Sequence, residues 1–139
     1  ETDVDNYYGT PRDYVEHKLE DGFDVILEIE IQGALKIREK FPDTVLMFLM
    51  PPTADELKKR LEGRGTEDEA TIKKRLLRAV EESQGVEEYD YIVINDVLDD
   101  CVEQIHEIIG NEHCKASNNL EKINQFRDEL TNMWKGDIR

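Results

Sequence analysis

Arg60 and Arg64 stand four residues apart and share one face of a helix, while Arg75 lies beyond the glycines Gly63 and Gly65. Guanidinium groups on a movable lid suit phosphoryl transfer. Charge spreads over the phosphoryl oxygens in a loose transition state, and planar, permanently charged forks stabilise it once closure has expelled water. The same spacing also fits a solvated helix face making ordinary surface pairs. Glu28 and Glu30 are two apart on an expected strand and so face one side of it, opposite Leu27 and Ile29. At the carboxyl end of a parallel strand such a pair sits where open α/β sheets bind ligands. It could accept hydrogen bonds from a purine amide and amino group or hold water around Mg²⁺; a solvent-facing edge strand is the alternative. Tyr7, Tyr8 and Thr10, interleaved with Gly9 before a helix start, could offer hydroxyls to a phosphate or a base edge, or pack as a tyrosine pair with hydroxyls at the rim of a core.

Other reactive residue types carry less. His17, His106 and His113 fall on separate expected helices without shared ligand spacing, which gives them surface or packing roles. Cys101 and Cys114 have no CxxC spacing and read as reduced, ordinary thiols, and Cys114 beside His113 lacks a third partner for a metal or nucleophile site. The Glu67-Asp68-Glu69 run reads as the charge cluster of a helix start.

The elements that must position these residues follow an α/β rhythm. Thr10 as N-cap, Pro11 at the first helical position and Asp13 in the first turn predict a helix that stops near Gly22. Asp24–Glu30 is apolar and β-branched, then acidic, which predicts a strand; a helix follows from about Gly33 to Lys40, closed by Pro42. Thr44–Met50 is apolar on both faces, the pattern of a buried parallel strand. Thr53 and Glu56 read as a capping box opening a helix to Gly63, and a second helix resumes around Asp68 with Ile72, Leu76, Ala79 and Val80 on one stripe. Two helices joined by a glycine hinge can move. Tyr91–Asn95 predicts another short buried strand, and Leu98, Val102, Ile105 and Ile109 stripe the helix after it. Leu120, Ile123, Phe126, Leu130 and Trp134 mark a last amphipathic segment.

Bulk composition bounds the partners. With 139 residues, 38% apolar and 37% charged, the chain suits one soluble domain with a real core. Its 33 acidic and 18 basic side chains give a net charge of −15, a field that repels nucleic acid and anionic membranes, so phosphate-bearing ligands must be held by local arginines. No apolar run approaches the ~20 residues of a membrane span and no signal-peptide pattern opens the chain, which points to the cytoplasm.

In order and spacing, these segments resemble guanylate kinases over nearly all of residues 6–109. Asn6-Tyr7-Tyr8-Gly9-Thr10 resembles the family's NYYG[ST] segment, and the resemblance implies that Tyr8 binds the GMP phosphate and Thr10 contacts guanine. Leu27-Glu28-Ile29-Glu30-Ile31-Gln32-Gly33 is similar to the family's acidic strand end followed by QG, whose acidic pair serves guanine recognition and a metal-linked water network; many relatives carry aspartate there. Pro51-Pro52-Thr53 through Leu57-Lys58-Lys59-Arg60-Leu61-Glu62-Gly63-Arg64-Gly65-Thr66 resembles the lid, continued by Lys74-Arg75-Leu76. That likeness implies that Arg60 and Arg64 clamp the ATP phosphates and that Arg75 bridges to the transferred group. Asp90–Asp96 resembles the family's last core strand, with Asn95 near the adenine.

The resemblance implies a P-loop NTPase-like three-layer α/β/α fold with a mostly parallel sheet, a helical lid and the end of a GMP-binding subdomain. The expected organisation is a single domain over 1–139, with 1–23 ending the GMP-binding subdomain, 24–52 in the core, 53–80 the lid and its flanking helices, and 81–139 the core and C-terminal helices. The implied reaction is ATP plus GMP giving ADP plus GDP with Mg²⁺, in purine nucleotide metabolism. The family's GxxxxGK[ST] loop occurs nowhere in the 139 residues, so the chain is expected to be N-terminally truncated, inactive alone, and either poorly stable or dimeric or strand-swapped where a central strand is missing. The competing reading is a catalytically inactive guanylate-kinase-like module that binds phosphopeptides where GMP would sit.

Overall fold

The computed structural model describes residues 12–63, 65 and 68–138. Tyr8, Thr10 and Arg64 lie outside the described residues. The chain divides into two compact units. The first takes in Glu1–Phe48 and Ala54–Ile92, the second Leu49–Thr53 and Val93–Arg139.

In the first unit α1 spans Arg12–Glu20 and α2 spans Ile31–Lys40. An Arg12–Glu16 pair at 2.7 Å one turn apart supports α1, and the Arg12 guanidinium lies 5.0 Å from the centre of the Phe41 ring. Gly22, at φ 89°, ends the helix: the amide of Phe23 turns back to the carbonyl of Lys18 at 3.0 Å, a left-handed stop that glycine takes without strain. Lys18 covers the rings of Tyr14 and Phe23 at 5.7 and 4.9 Å.

The strand expected over Asp24–Glu30 is not formed. Residues 23–30 belong to no sheet among the described residues, and Ile26 is 73% exposed. A strand exists through its partners, and β-branched composition cannot supply a ladder on its own. The helix expected from Gly33 starts earlier, at Ile31, because Glu30 caps it.

The sheet has two strands, β1 (Met47–Met50) and β2 (Tyr91–Ile94). The amide of Tyr91 bonds the carbonyl of Leu46 at 3.1 Å and that of Asn95 bonds Met50 at 2.8 Å; the constant offset makes the pair parallel. Asp90 braces the seam in the first unit. Its carboxylate accepts from the Leu46 amide at 2.8 Å and pairs with Arg38, whose guanidinium also donates to the Glu88 carbonyl. Phe48 meets Tyr89 edge to face at 5.5 Å. Buried here are Ile31, Ala34 and Leu46.

Also in the first unit, α3 (Ala54–Gly63) packs on α4 (Glu69–Ser83). Along α4, Ile72, Leu76 and Ala79 turn inward as expected, but Val80 is 59% exposed; the inward stripe continues instead to Glu82. In the second unit α5 (Leu98–His113) buries Cys101 and Ile108, with Glu112 continuing that face, whereas Leu98 and Val102 point outward. Of the expected stripe, Ile105 and Ile109 are half-buried beside Cys101 and Ile108, while Leu98 and Val102 lie toward the open edge of the same apolar face. His106 and His113 share this helix rather than standing on separate ones. Its end is tied down by Asn118, which donates to the Glu112 carbonyl at 2.7 Å, and by Lys115, which pairs with the buried Glu112 at 2.8 Å. A one-turn helix at Ala116–Asn118 then introduces α6 (Leu120–Ile138). No described helix is long and apolar enough to cross a membrane.

Candidate active site

The helical pair α3–α4 carries the cationic candidates. The sequence Leu57-x₃-Leu61 places two apolar side chains on one face of α3, and Ala79 answers from α4. Between the helices runs an open groove of about 360 Å³ lined by Leu57, Leu61, Arg75, Arg78, Ala79 and Glu82. Arg75, an exposed residue, thus lines a groove whose other side carries Leu57 and Leu61. Next to it Arg78 pairs with Glu82 at 3.2 Å. Arg60, half-buried on α3, pairs with Glu56 one turn earlier at 3.1 Å. The structure therefore brings Arg60 and Arg75 onto one packed pair but places only Arg75 in the groove.

The start of α4 is fixed by Asp68, whose carboxylate accepts from the Thr71 amide at 2.8 Å. Hydrogen bonding with the Thr71 side chain first, and then with this amide, holds the Asp68 carboxyl below the usual carboxylate range. The acidic run read as a helix-start cluster supplies the cap. Gly65, at φ 65°, sits in the turn between the helices in a conformation that favours glycine.

The carboxylate pair separates into two environments. Glu30 is committed to α2: one oxygen accepts from the Gly33 amide at 2.7 Å and the other from the Gln32 amide at 3.2 Å. This is an N-cap with the charge at the positive end of the helix. Glu28 is exposed. Close behind the cap, Gly85 approaches Ile31 so tightly that an added Cβ would lie 3.1 Å from its Cδ1.

Tyr89 was not singled out by the sequence. Its phenol is pushed up from the ordinary range, first by burial and then by the nearby carboxylates of Glu30 and Glu82, so it remains a neutral hydroxyl. A lone tyrosine between acidic residues carries no motif, and only the fold shows which carboxylates face it. In the second unit Asn95 follows β2 directly, at the carboxyl end where α/β sheets receive ligands. Among the described residues no three His, Cys, Asp or Glu side chains gather as metal ligands.

The comparisons with known proteins agree with one another. The family model for guanylate kinase matches residues 2–112. The chain is 51% identical over 123 residues to a guanylate kinase of Halalkalibacterium halodurans, covering 88% of this chain and 60% of that protein. To a guanylate kinase of Latilactobacillus sakei it is 48% identical over 126 residues, covering 91% and 62%. It thus spans about three fifths of the length of these relatives. Among solved structures, a guanylate kinase from Anaplasma phagocytophilum superposes with a TM-score of 0.55 at 23% identity, covering 88% of this chain and 74% of that one, a likeness of fold. On the extent of the family match and the level of identity, the chain belongs to the guanylate kinase family.

Proposed function

We propose that the protein carrying this chain transfers the γ-phosphoryl group of ATP to GMP, giving ADP and GDP by direct in-line displacement. The observation that carries the reading is the packed α3–α4 pair with Arg60 and Arg75 on it, in a chain of this family. Arg75, lining the groove, is suited to the charge that develops on the transferred group, and Arg60 with Arg64 to the ATP phosphates. Tyr8 and Thr10 supply hydroxyls to GMP, Glu28 faces its guanine edge, Glu30 holds that segment on α2 and contributes to the same pocket, and Asn95 lies toward the adenine.

Mg²⁺ fits as a partner of nucleotide phosphates and water rather than of a protein cage. The exposed Glu28 can hold a metal-bound water, while both oxygens of Glu30 are engaged by helix amides. When bound, the ion neutralises charge on the β- and γ-phosphates. The whole 1–139 span acts in this reading as one domain, with 53–80 as its lid. Without a glycine-rich phosphate loop, the 139 residues by themselves are expected to give no turnover.

The test is ADP release by the whole protein with Mg-ATP and GMP, AMP or no acceptor. GMP-dependent turnover well above the AMP rate is expected, and Arg64→Ala should lower kcat on the order of 10²-fold or more. A folded protein with no turnover on either nucleotide would refute the kinase and direct the search to phosphopeptide binding.

A further inference from the structure

Beyond residue 112, where the family match ends, α6 carries an apolar stripe that the described residues leave open. Leu120, Phe126, Leu130, Met133 and Trp134 are 59, 60, 49, 68 and 65% exposed, and only Ile123 between them is half-buried. At 100° per residue these positions fall within an arc of about 140°, one continuous face. We propose that this face is a self-association surface and that its occupant is α6 of a second copy of the chain.

Area and charge both point to that occupant. With aromatic side chains of roughly 150–250 Å² each, the stripe exposes on the order of 500 Å² of apolar surface, the size of the largest patch on a typical monomer, which is often an interaction site. Two such faces together bury roughly 1,000 Å², the lower bound for a specific and readily reversible association. Four basic side chains (Lys122, Arg127, Lys135, Arg139) and four acidic ones (Glu121, Asp128, Glu129, Asp137) balance across residues 120–139, so the whole net charge of −15 lies in residues 1–119. The α6 face is therefore where another strongly acidic chain can approach with least repulsion, and an anionic membrane is a poorer fit for the molecule as a whole. The two acidic bodies still repel at a distance, and added salt screens that repulsion without weakening apolar contact.

Sedimentation velocity on the 139-residue chain, across about a hundredfold range of concentration at low and high salt, tests the inference. The expected result is a mass rising from 16.2 kDa toward its double with concentration, more readily at high salt. Trp134 is the sole tryptophan, so its emission should shift to the blue over the same concentration range, a readout that needs no variant. Phe126→Glu with Met133→Glu should abolish both changes while leaving the far-ultraviolet spectrum intact, because both sites are exposed. A monomer at all concentrations overturns the inference. So does a dimer that survives the double variant, which would place the contact elsewhere, for instance along β2, or a blue shift seen only with neutral phosphatidylcholine vesicles, which would make the stripe a lipid-facing surface. None of these readouts depends on kinase activity.

Discussion

Removing the Glu30 carboxylate separates the two things this residue could do. Both its oxygens are engaged, at 2.7 Å by the Gly33 amide and at 3.2 Å by the Gln32 amide, so Glu30→Ala exposes two amides at the first turn of α2 and removes a negative charge from the helix N-terminus. Loss of an N-cap costs about 1 kcal/mol, and loss of the charge adds about 0.3 kcal/mol at an exposed site. An unfolding entropy of about 2.1 cal/mol/K per residue over 139 residues amounts to about 0.3 kcal/mol/K, so the variant should melt about 4 °C lower. Glu30→Gln keeps one acceptor oxygen and loses the charge, and should fall by about half as much. Glu28→Ala is the control: its side chain is exposed, and its Tm should stay within about 2 °C of the parent, as for surface substitutions within about 0.5 kcal/mol. Circular dichroism melts of the three variants read these shifts directly. If Glu30→Ala melts with the parent, or Glu28→Ala falls as far as Glu30→Ala, the cap carries no energy. In the whole protein the same pair should split kinetically, with Glu28→Ala raising KM for GMP at unchanged Tm.

Asp90→Ala removes the acceptor of the buried Leu46 amide and the anion beside Arg38. With the Asp90 side chain 39% exposed, most of the loss is the stranded amide, about 2 kcal/mol or about 7 °C, and Asp90→Asn should recover about half; an unchanged melt for Asp90→Ala would remove the seam from the account. Gly85→Ala gains about 0.4–1 kcal/mol from the unfolded chain but forces a Cβ to 3.1 Å from Ile31 Cδ1, an overpacking cost of about 1–3 kcal/mol, so it should destabilise. Ile31→Val deletes that methyl, and urea melts of the double variant should show the two changes compensating; strict additivity would contradict the close approach. The Asp68 carboxyl sits below its unfolded value of about 3.9, so its stabilisation of α4 is complete above that pH and is lost only as pH falls through the lower folded value. Hydrogen exchange at the Thr71 amide should therefore stay protected from neutral pH down to about pH 4, and early loss near pH 6 would show that another group controls the start of α4.

Legibility in the sequence follows how local each determinant is. The break at Gly63–Gly65, the cap in the acidic run at Asp68 and the end of α1 at Gly22 depend on neighbours within a turn, and the structure matches them. Met47–Met50 and Tyr91–Ile94 pair as strands because each is short, apolar and bounded by turn residues. What misled was non-local. Asp24–Glu30 has strand composition but no neighbour in the sheet among the described residues, and on α5 the packing is centred on Cys101 and Ile108, which leaves Leu98 and Val102, at the edge of the same apolar face, exposed while Ile105 and Ile109 are half-buried. For the candidate site, the residue types were legible and their environments were not. Nothing in LEIEIQG separates a carboxylate that caps a helix from one two residues earlier that stays exposed, and no pattern marks Tyr89 as facing Glu30 and Glu82.

The packing of α3 on α4 bears on how the proposed lid would move. A glycine between two helices suggests two arms that swing separately, yet α3 and α4 already touch, and Leu57, Leu61 and Ala79 line the open groove between them. Bending at Gly65 would uncover the part of these half-buried leucines that is still shielded, a cost below the about 1.5–3 kcal/mol of a fully buried leucine. Rotation of the pair as one body exposes neither. In the proposed reading Arg60 and Arg75 would then move together, and a relative placement set by folding would lower the ordering cost of binding phosphates. Where α4 ends, Gly85 lies against Ile31, the residue next to the Glu30 cap. A shift of the last turn of α4 is felt beside the segment that carries the carboxylate pair, because at Gly85 there is room for a hydrogen but a Cβ would come within 3.1 Å of Ile31 Cδ1. The Gly85→Ala and Ile31→Val cycle thus tests more than packing. In the whole protein, a change that stiffens or loosens this contact should alter KM for GMP along with the lid, whereas a lid independent of the acceptor side would leave that KM where it was.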